Sequence, residues 1–389
     1  MFNPAKRMKQ FHQSVFTNLN EQKEKYEKRT GKKTIDLSLG SPNISPDPKI
    51  IEALAKAIHK PENYKYAIKP LPKMIESIQN WYHDRYEIDL KKDEIALLQG
   101  SQEALVNLPL IYCDEGDGIL VPDPYYPVYV DAPKMAGAKI LYTPLKKENN
   151  YLVDFTKITK EERQKAKMMI VCYPNNPTGA IAPDWFYEQL IQFAKENDIL
   201  IVHDNAYSEL LFDGKKGKSF LSFEGAKEVG VEINSFSKTY GMAGARLGVL
   251  VGNKEVIKHY KILKSNMDYG IFLPIQYAGI AALNEGGSSI ETTRQEYQER
   301  RNIMVKEFTK AGWPIQPSCA TMFIWAQIPD QYEDCVQFAK ELLNKTGIIV
   351  TPGLSFGEEG KRFVRLALVQ DQKIICEAAD RIKQSRFFK

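Results

Sequence analysis

The sequence is short of the residues that hold metals or staple chains together. Its five cysteines, Cys113, Cys172, Cys319, Cys335 and Cys376, are scattered through 389 residues with no Cys-x-x-Cys pair. That argues against a disulfide framework and against a zinc site. Its five histidines, His12, His59, His83, His203 and His259, show no metal-ligand spacing, so no metal is expected. His203 stands beside Asp204, but neighbours in a strand point to opposite faces, which speaks against a catalytic pair. No apolar run approaches the length of a membrane span, and the first thirty residues are polar and charged; neither a span nor a secretory leader is expected, and the cytoplasm is the default location. A formal charge of +4 is small for this length and gives no case for nucleic-acid binding. The fingerprint Gly-x-Gly-x-x-Gly is missing after the early strands, which counts against a nicotinamide oxidoreductase.

What is present is ordinary for a globular chain with a large core: 43% hydrophobic and 26% charged residues,. Apolar positions at helical spacing (Phe11, Val15, Phe16, Leu19) predict an amphipathic amino-terminal helix over 11–30, resting on another part of the protein or on a partner subunit. Ile35 to Leu39 alternates like a short strand and ends in the turn signal Gly40-Ser-Pro-Asn. Helical patterns follow over 48–59 and 73–86, separated by an irregular stretch that holds Tyr64 and Tyr66. From Glu94 to Val251 strands and helices alternate, with apolar strands expected at 94–98, 117–122, 138–142, 168–172, 199–204 and 231–236. That rhythm predicts a mostly parallel sheet covered on both faces. Beyond it come a long polar helix near 290–311 and an α+β pattern with strands near 321–325, 348–351 and 362–368.

Chemistry-bearing residues fall at the strand ends. Ser235-Phe-Ser-Lys238-Thr-Tyr-Gly-Met-Ala-Gly-Ala-Arg246-Leu-Gly puts a lysine among small hydroxyl residues and glycines, with an arginine eight positions on; this suits a Schiff-base lysine beside a phosphate group. Gly100-Ser101-Gln102 opens a helix directly after a strand, where backbone N–H groups and the helix dipole favour an anion. Asn176 in Tyr173-Pro-Asn-Asn-Pro-Thr-Gly179 and Asp204 in Ile199-Leu-Ile-Val-His-Asp204 close two further apolar strands, the edge where open α/β sheets bind ligands. Asn176, Asp204 and Lys238 lie 28 and 34 residues apart, room for one excursion per strand.

As an ordered set these motifs make the chain resemble a fold-type I pyridoxal-phosphate enzyme of the class I/II aminotransferase family. The resemblance implies an α/β fold: a large domain with a mostly parallel seven-stranded sheet, and a smaller α+β domain. We expect an amino-terminal arm over 1–47, a large cofactor-binding domain over 48–285 and a small domain over 286–389. It implies that Lys238 bonds to the cofactor aldehyde and shuttles the Cα proton, that Asp204 pairs with the pyridinium nitrogen, and that Tyr207 and Asn176 hydrogen-bond its phenolic oxygen. Tyr126, with Tyr125 as the one-residue alternative, would stack on the ring. Ser101, Gln102, Ser235, Ser237 and Arg246 would hold the phosphate. Arg365, in Phe363-Val-Arg-Leu-Ala-Leu, would grip the substrate α-carboxylate, with the Gly40 backbone and Asn176 beside it. Tyr66, or Tyr64, would reach the phosphate of a neighbouring subunit, so a homodimer with shared sites is implied.

Within the family, Leu-Gly-Ser-Pro-Asn43, Asp123-Pro-Tyr-Tyr-Pro-Val-Tyr, Tyr269-Gly-Ile-Phe-Leu-Pro-Ile-Gln276 and Pro352-Gly-Leu-Ser-Phe-Gly look most like LL-diaminopimelate aminotransferases and their near relatives. Two positions depart from the pattern: Gln102 stands where that subgroup commonly has lysine, and Pro70 where the family usually has glycine. The implied activity is transfer of the amino group of an L-amino acid, such as LL-diaminopimelate, its N-acetyl form or aspartate, to a 2-oxo acid such as 2-oxoglutarate. A cysteine-conjugate β-lyase of the cystathionine type is the alternative enzyme on the same scaffold.

Overall fold

Strands that are apolar on both faces form most of one sheet. The computed structural model describes residues 2–11 and 13–388; Met1, Lys389 and the histidine at position 12 lie outside them. Its strands are β1 (Ile35–Asp36), β2 (Ile95–Leu98), β3 (Gly118–Asp123), β4 (Lys139–Pro144), β5 (Ala166–Cys172) and β6 (Leu200–Asp204). They continue as β7 (Gly230–Ser235), β8 (Gly248–Gly252), β9 (Phe323–Gln327), β10 (Ile348–Ile349), β11 (Thr351–Pro352) and β12 (Phe363–Ala367). The order in the seven-stranded sheet is β2-β8-β7-β6-β5-β3-β4. Neighbours from β7 through β4 run parallel, while β8 is antiparallel to both β7 and β2. The mostly parallel sheet expected from the sequence is therefore present.

Successive residues of one strand feed opposite cores. On β5, Met169 and Val171 join Leu97, Ile201 and Val249 on one face, while Met168 and Ile170 join Leu98, Val202 and Ile233 on the other. Each such fully buried side chain contributes roughly 1.5–3 kcal/mol relative to exposure. This is why these strands read as unbroken apolar runs instead of alternating ones.

A second body is built on the three-stranded antiparallel sheet β11-β12-β9. Its core gathers Phe323, Ile324, Val364 and Leu366 with Phe338 and Leu342 of the helix Cys335–Thr346 and Ile375 and Ile382 of the helix Gln372–Ser385. Ile35 and Leu37 join it from the amino-terminal side, as do Leu210 and Phe212 from the segment after β6. The sequence suggested a strand over 35–39; only Ile35–Asp36 pairs, with β10, because Ser38 and Leu39 turn toward the cavity described below. The first long helix, Val15–Thr30, starts at a Ser14 cap, ends at left-handed Gly31, and buries Leu19 and Tyr26 against Leu343 and Ile349. It rests on this second body, as its pattern suggested. Among the described residues no helix is long and apolar enough to cross a membrane.

Parallel pairing places the carboxyl ends of β5, β6 and β7 side by side. In the antiparallel part, Ser235 at the end of β7 and Leu98 at the end of β2 both face Gly248. One edge of the sheet thus collects residues from four separate stretches of sequence.

Candidate active site

That edge opens into a cavity of roughly 310 Å³, whose far wall comes from the second body. Asn176, Asp204, Tyr207, Ser101, Gln102, Tyr126, Ser235, Ser237, Lys238, Arg246, Gly40 and Arg365 all line it. Every site residue expected within one chain is therefore brought to one place.

Lys238 sits in a single helical turn, Phe236–Thr239, that begins where β7 stops; the Ser235 hydroxyl caps the turn by accepting from the Ser237 N–H at 3.2 Å. Its ammonium donates to the Gly40 carbonyl at 2.9 Å and has no carboxylate partner. Burial, then the nearby Arg365 and Arg246 charges, push the amine down to about 8, well below the ordinary lysine range. A shift of that size raises the neutral, nucleophilic fraction at pH 7 by about 300-fold.

Asp204 ends β6. One carboxylate oxygen accepts from the Tyr129 hydroxyl at 2.6 Å. The other, Oδ1, is buried without a hydrogen-bond partner of good geometry among the described residues, although the Ala206 N–H stands close enough to the carboxyl to favour its charge. Burial raises the carboxyl above its usual range, with the Tyr129 hydrogen bond opposing. A buried carboxylate oxygen left unpaired costs free energy unless a donor or cation meets it. The site is thus built for a positively charged N–H that the chain itself does not supply.

Arg365 presents the mirror image. Its guanidinium is buried on β12, donating to Asn176 Oδ1 at 3.1 Å and to the Ser38 carbonyl at 3.0 Å, while Nε is unpaired. The rings of Phe323 and Phe356 lie 4.0 and 4.6 Å from its central carbon, with Phe16 at 5.6 Å. Burial lowers it to about 10 from its ordinary value, and Tyr207 and Tyr126 oppose that drop. A planar cation held between aromatic faces and lacking an acid partner is ready for a carboxylate. Because Arg365 occupies the Asn176 oxygen, the amide nitrogen is what Asn176 has left to donate.

The third anchor is a cradle for an anion. Gly100, at φ 80°, precedes the helix Ser101–Tyr112. A Cβ there would lie 2.4 Å from Arg246 Nη2, so only glycine lets the guanidinium come over the helix start. At Gly248 a Cβ would meet the Ser101 N–H nitrogen at 3.0 Å, which brings Ser101, Ser235 and Arg246 together. Hydroxyls, a helix amino terminus and an arginine are the donor set that phosphate takes.

Several alternatives are separated by the geometry. Tyr126 lines the cavity, its hydroxyl 3.5 Å from Gln102 Oε1; Tyr125 instead stacks on Tyr142. Tyr66 is 77% exposed and packs edge-on against Tyr269 outside this cavity, while Tyr64 donates to the Ile58 carbonyl. His203 faces away from Asp204: its two ring nitrogens bond to buried Glu232 and to the Tyr173 carbonyl.

Sequence reasoning missed Tyr129 as the partner of Asp204, although it is the third aromatic of Pro124-Tyr-Tyr-Pro-Val-Tyr129. It also missed the Phe323 and Phe356 rings about Arg365, and Phe16, whose place in the amino-terminal helix gave no sign that it reaches the cavity.

The model of the family described as "Aminotransferase class I and II" matches residues 32–382. An LL-diaminopimelate aminotransferase of Halothermothrix orenii is 41% identical, with 92% of each chain covered. The glutamate-pyruvate aminotransferase AlaC of Escherichia coli is 36% identical, over 92% of this chain and 87% of its own. The apo structure of BacF from Bacillus subtilis superposes with a TM-score of 0.95 at 36% identity, covering 99% of this chain and 98% of the other. A lysine and an acid at two strand ends and an arginine on β12 converge on one cavity, and a family match over residues 32–382 makes the chain a member of the class I and II aminotransferases, enzymes that transfer amino groups.

Proposed function

We propose that this chain binds pyridoxal phosphate in the cavity and moves the amino group of an L-amino acid to a 2-oxo acid, with Lys238, Asp204 and Tyr207 acting at the reacting centre. The observation that carries the reading is the convergence on one cavity of Lys238, Asp204 and Arg365, the acid and the guanidinium each without an opposite charge as hydrogen-bond partner among the described residues. Both fit the groups expected there, a protonated pyridine nitrogen and a substrate carboxylate. When bound, the cofactor supplies an aldehyde for covalent attachment and a ring that accepts electron density from the substrate Cα.

The chain's own residues do the rest. Lys238 would hold the cofactor through its amine and, when free, would serve as the base that takes the proton from the substrate Cα and the acid that delivers it to the cofactor carbon. Asp204, held in one orientation by Tyr129, would face the ring nitrogen and favour its protonated form. Tyr207 and the Asn176 amide would donate to the phenolic oxygen. Ser101, Gln102, Ser235, Ser237 and Arg246 would hold the phosphate, and Tyr126 would lie against the ring. Arg365, with Asn176 and the Gly40 backbone, fixes the substrate carboxylate, which orients the Cα–H bond toward Lys238.

Among the described lining residues the cations are Lys238, Arg246 and Arg365. With Arg246 on the phosphate and Arg365 on the α-carboxylate, this chain offers no further cation for a distal carboxylate, and Gln102 stands where lysine would have been one. The relatives named LL-diaminopimelate aminotransferase nonetheless make that diamino acid, its N-acetyl form and aspartate the first donors to try. Tyr66, exposed beside Tyr269, supports a homodimer in which it reaches the partner's phosphate. The two cores support a large domain over 48–285 and a small one over 286–389, the amino-terminal 1–47 lying on the small one.

The test is a panel of amino donors against 2-oxoglutarate, with cystathionine alone as a lyase control. Transfer to the oxo acid that is abolished by Lys238→Ala supports the reading. Pyruvate from cystathionine without an acceptor, and no transfer from any donor, contradicts it.

A further inference from the structure

Two stretches singled out in the sequence, Asp123-Pro-Tyr-Tyr and Pro352-Gly-Leu-Ser-Phe-Gly, each give one ring to the site, Tyr126 and Phe356, and outside it they meet each other. β3 ends at Asp123, three residues before the Tyr126 that lines the cavity. The second stretch follows β11 and carries Phe356, whose ring lies against Arg365. The Tyr125 N–H donates to the Phe356 carbonyl at 2.6 Å. The Asp123 carboxylate spans the same seam, accepting from the Glu358 N–H at 3.2 Å on one oxygen and from the Glu359 N–H at 3.3 Å on the other.

Between these contacts stands Gly357, at φ 120°. A Cβ added there would lie 2.0 Å from Asp123 Oδ1. The glycine therefore serves the close approach of a carboxylate as well as the backbone angle. Asp123 is 6% exposed. Burial pushes it up to about 6, against the two N–H groups and with the Glu359 and Glu358 charges adding to the rise. Lys146 lies 3.9 Å from Glu359, and the stacked Tyr125 and Tyr142 adjoin. A carboxyl with two acidic neighbours is a poor space-filler; a carboxylate accepting one N–H on each oxygen is what the seam uses.

Resting on the functional reading above, we propose that Asp123 is a positioning residue that latches the Tyr126 segment of the seven-stranded sheet to the Phe356–Glu359 segment of the second body. The latch fixes how far the Arg365 carboxylate grip stands from the cofactor end of the cavity. It acts on the substrate's register across the seam, while Tyr126 and the residues assigned to the phosphate lie on the seven-stranded sheet's side of it.

The experiment uses the holoenzyme and two variants, Asp123→Asn, which keeps the shape but only one acceptor oxygen, and Gly357→Ala. Three quantities are measured: hydrogen exchange of the peptide spanning 353–361, pyridoxal-phosphate affinity, and kcat and KM for the best amino donor. The latch predicts faster exchange in that peptide in both variants. It predicts a donor KM raised about tenfold from losing a hydrogen bond to a charged group, and kcat/KM lowered by up to roughly 10²-fold from misplacement. Cofactor affinity should stay within about twofold of wild type, the spread of single-contact effects elsewhere. Unchanged exchange overturns the proposal, as does faster exchange with wild-type KM and kcat. A parallel fall in cofactor affinity and melting temperature also overturns it, since that marks general loosening. Wild-type protein that turns over no amino acid overturns the functional reading, and the coupling to Arg365 with it, whatever the exchange shows.

Discussion

Replacing Gly100 by alanine perturbs the phosphate cradle without removing any of its polar groups. The backbone at Gly100, φ 80° and ψ 155°, lies in a region open essentially to glycine, so a side chain there costs about 1–3 kcal/mol in strain. The added Cβ would sit 2.4 Å from Nη2 and 2.7 Å from Cζ of Arg246, and ordinary contact begins near 3.4 Å, so the guanidinium must retreat by about 1 Å. A charge-assisted hydrogen bond is worth about 1.5–3 kcal/mol, and losing one to phosphate weakens binding by about 10- to 150-fold. Spectrophotometric titration of the apoenzyme with pyridoxal phosphate reads this directly, alongside thermal melting for the strain. Gly244→Ala is the control, because a Cβ there meets nothing within 4 Å and both readouts should stay at wild-type values. A Gly100→Ala protein that binds the cofactor within twofold of wild type would refute the argument that Arg246 and the helix start form one phosphate site.

Asp204→Asn should leave the chain folded but deprive the pyridinium of its counter-charge; breaking a buried pair costs about 3–5 kcal/mol, or roughly 10²–10⁴-fold in cofactor affinity, measured by the same titration. Tyr129→Phe removes the 2.6 Å bond that opposes the rise of Asp204, so the carboxyl moves further up and the apoenzyme captures the protonated ring less readily at neutral pH. Capture of pyridoxal phosphate by the apoenzyme requires the neutral amine of Lys238. Stopped-flow rates should therefore climb about tenfold per pH unit on the acid side and level off above the value of about 8 set by burial and the two arginines. A rate still climbing toward 10 would mean that Lys238 is solvated.

The sheet and its bearing edge were legible in the sequence for a physical reason. β5 and β6 are covered on both faces, so each reads as a nearly continuous apolar run, while β7 alternates around buried Glu232 and Asn234, and the polar residue that ends each strand marks the ligand edge. Direction was not legible: β2 and β8 are as apolar as their neighbours, and nothing in an apolar run tells whether its partner lies parallel. Lys238, Asp204, Asn176 and Arg246 could be named because each has local context, a strand end or a glycine. The surroundings of Arg365 could not, since Phe16, Phe323 and Phe356 come from three distant segments and meet only after the second body has folded. Tyr129 was hidden because 75 residues separate it from its carboxylate and the sheet alone brings them together.

The most direct test of the account is to load the protein with pyridoxal phosphate, reduce it with borohydride, and map the modified peptide by mass spectrometry. The account predicts cofactor mass on Lys238 alone, lost in Lys238→Ala and protected from reduction by excess amino donor. Attachment to another lysine, or no attachment at all, would contradict it.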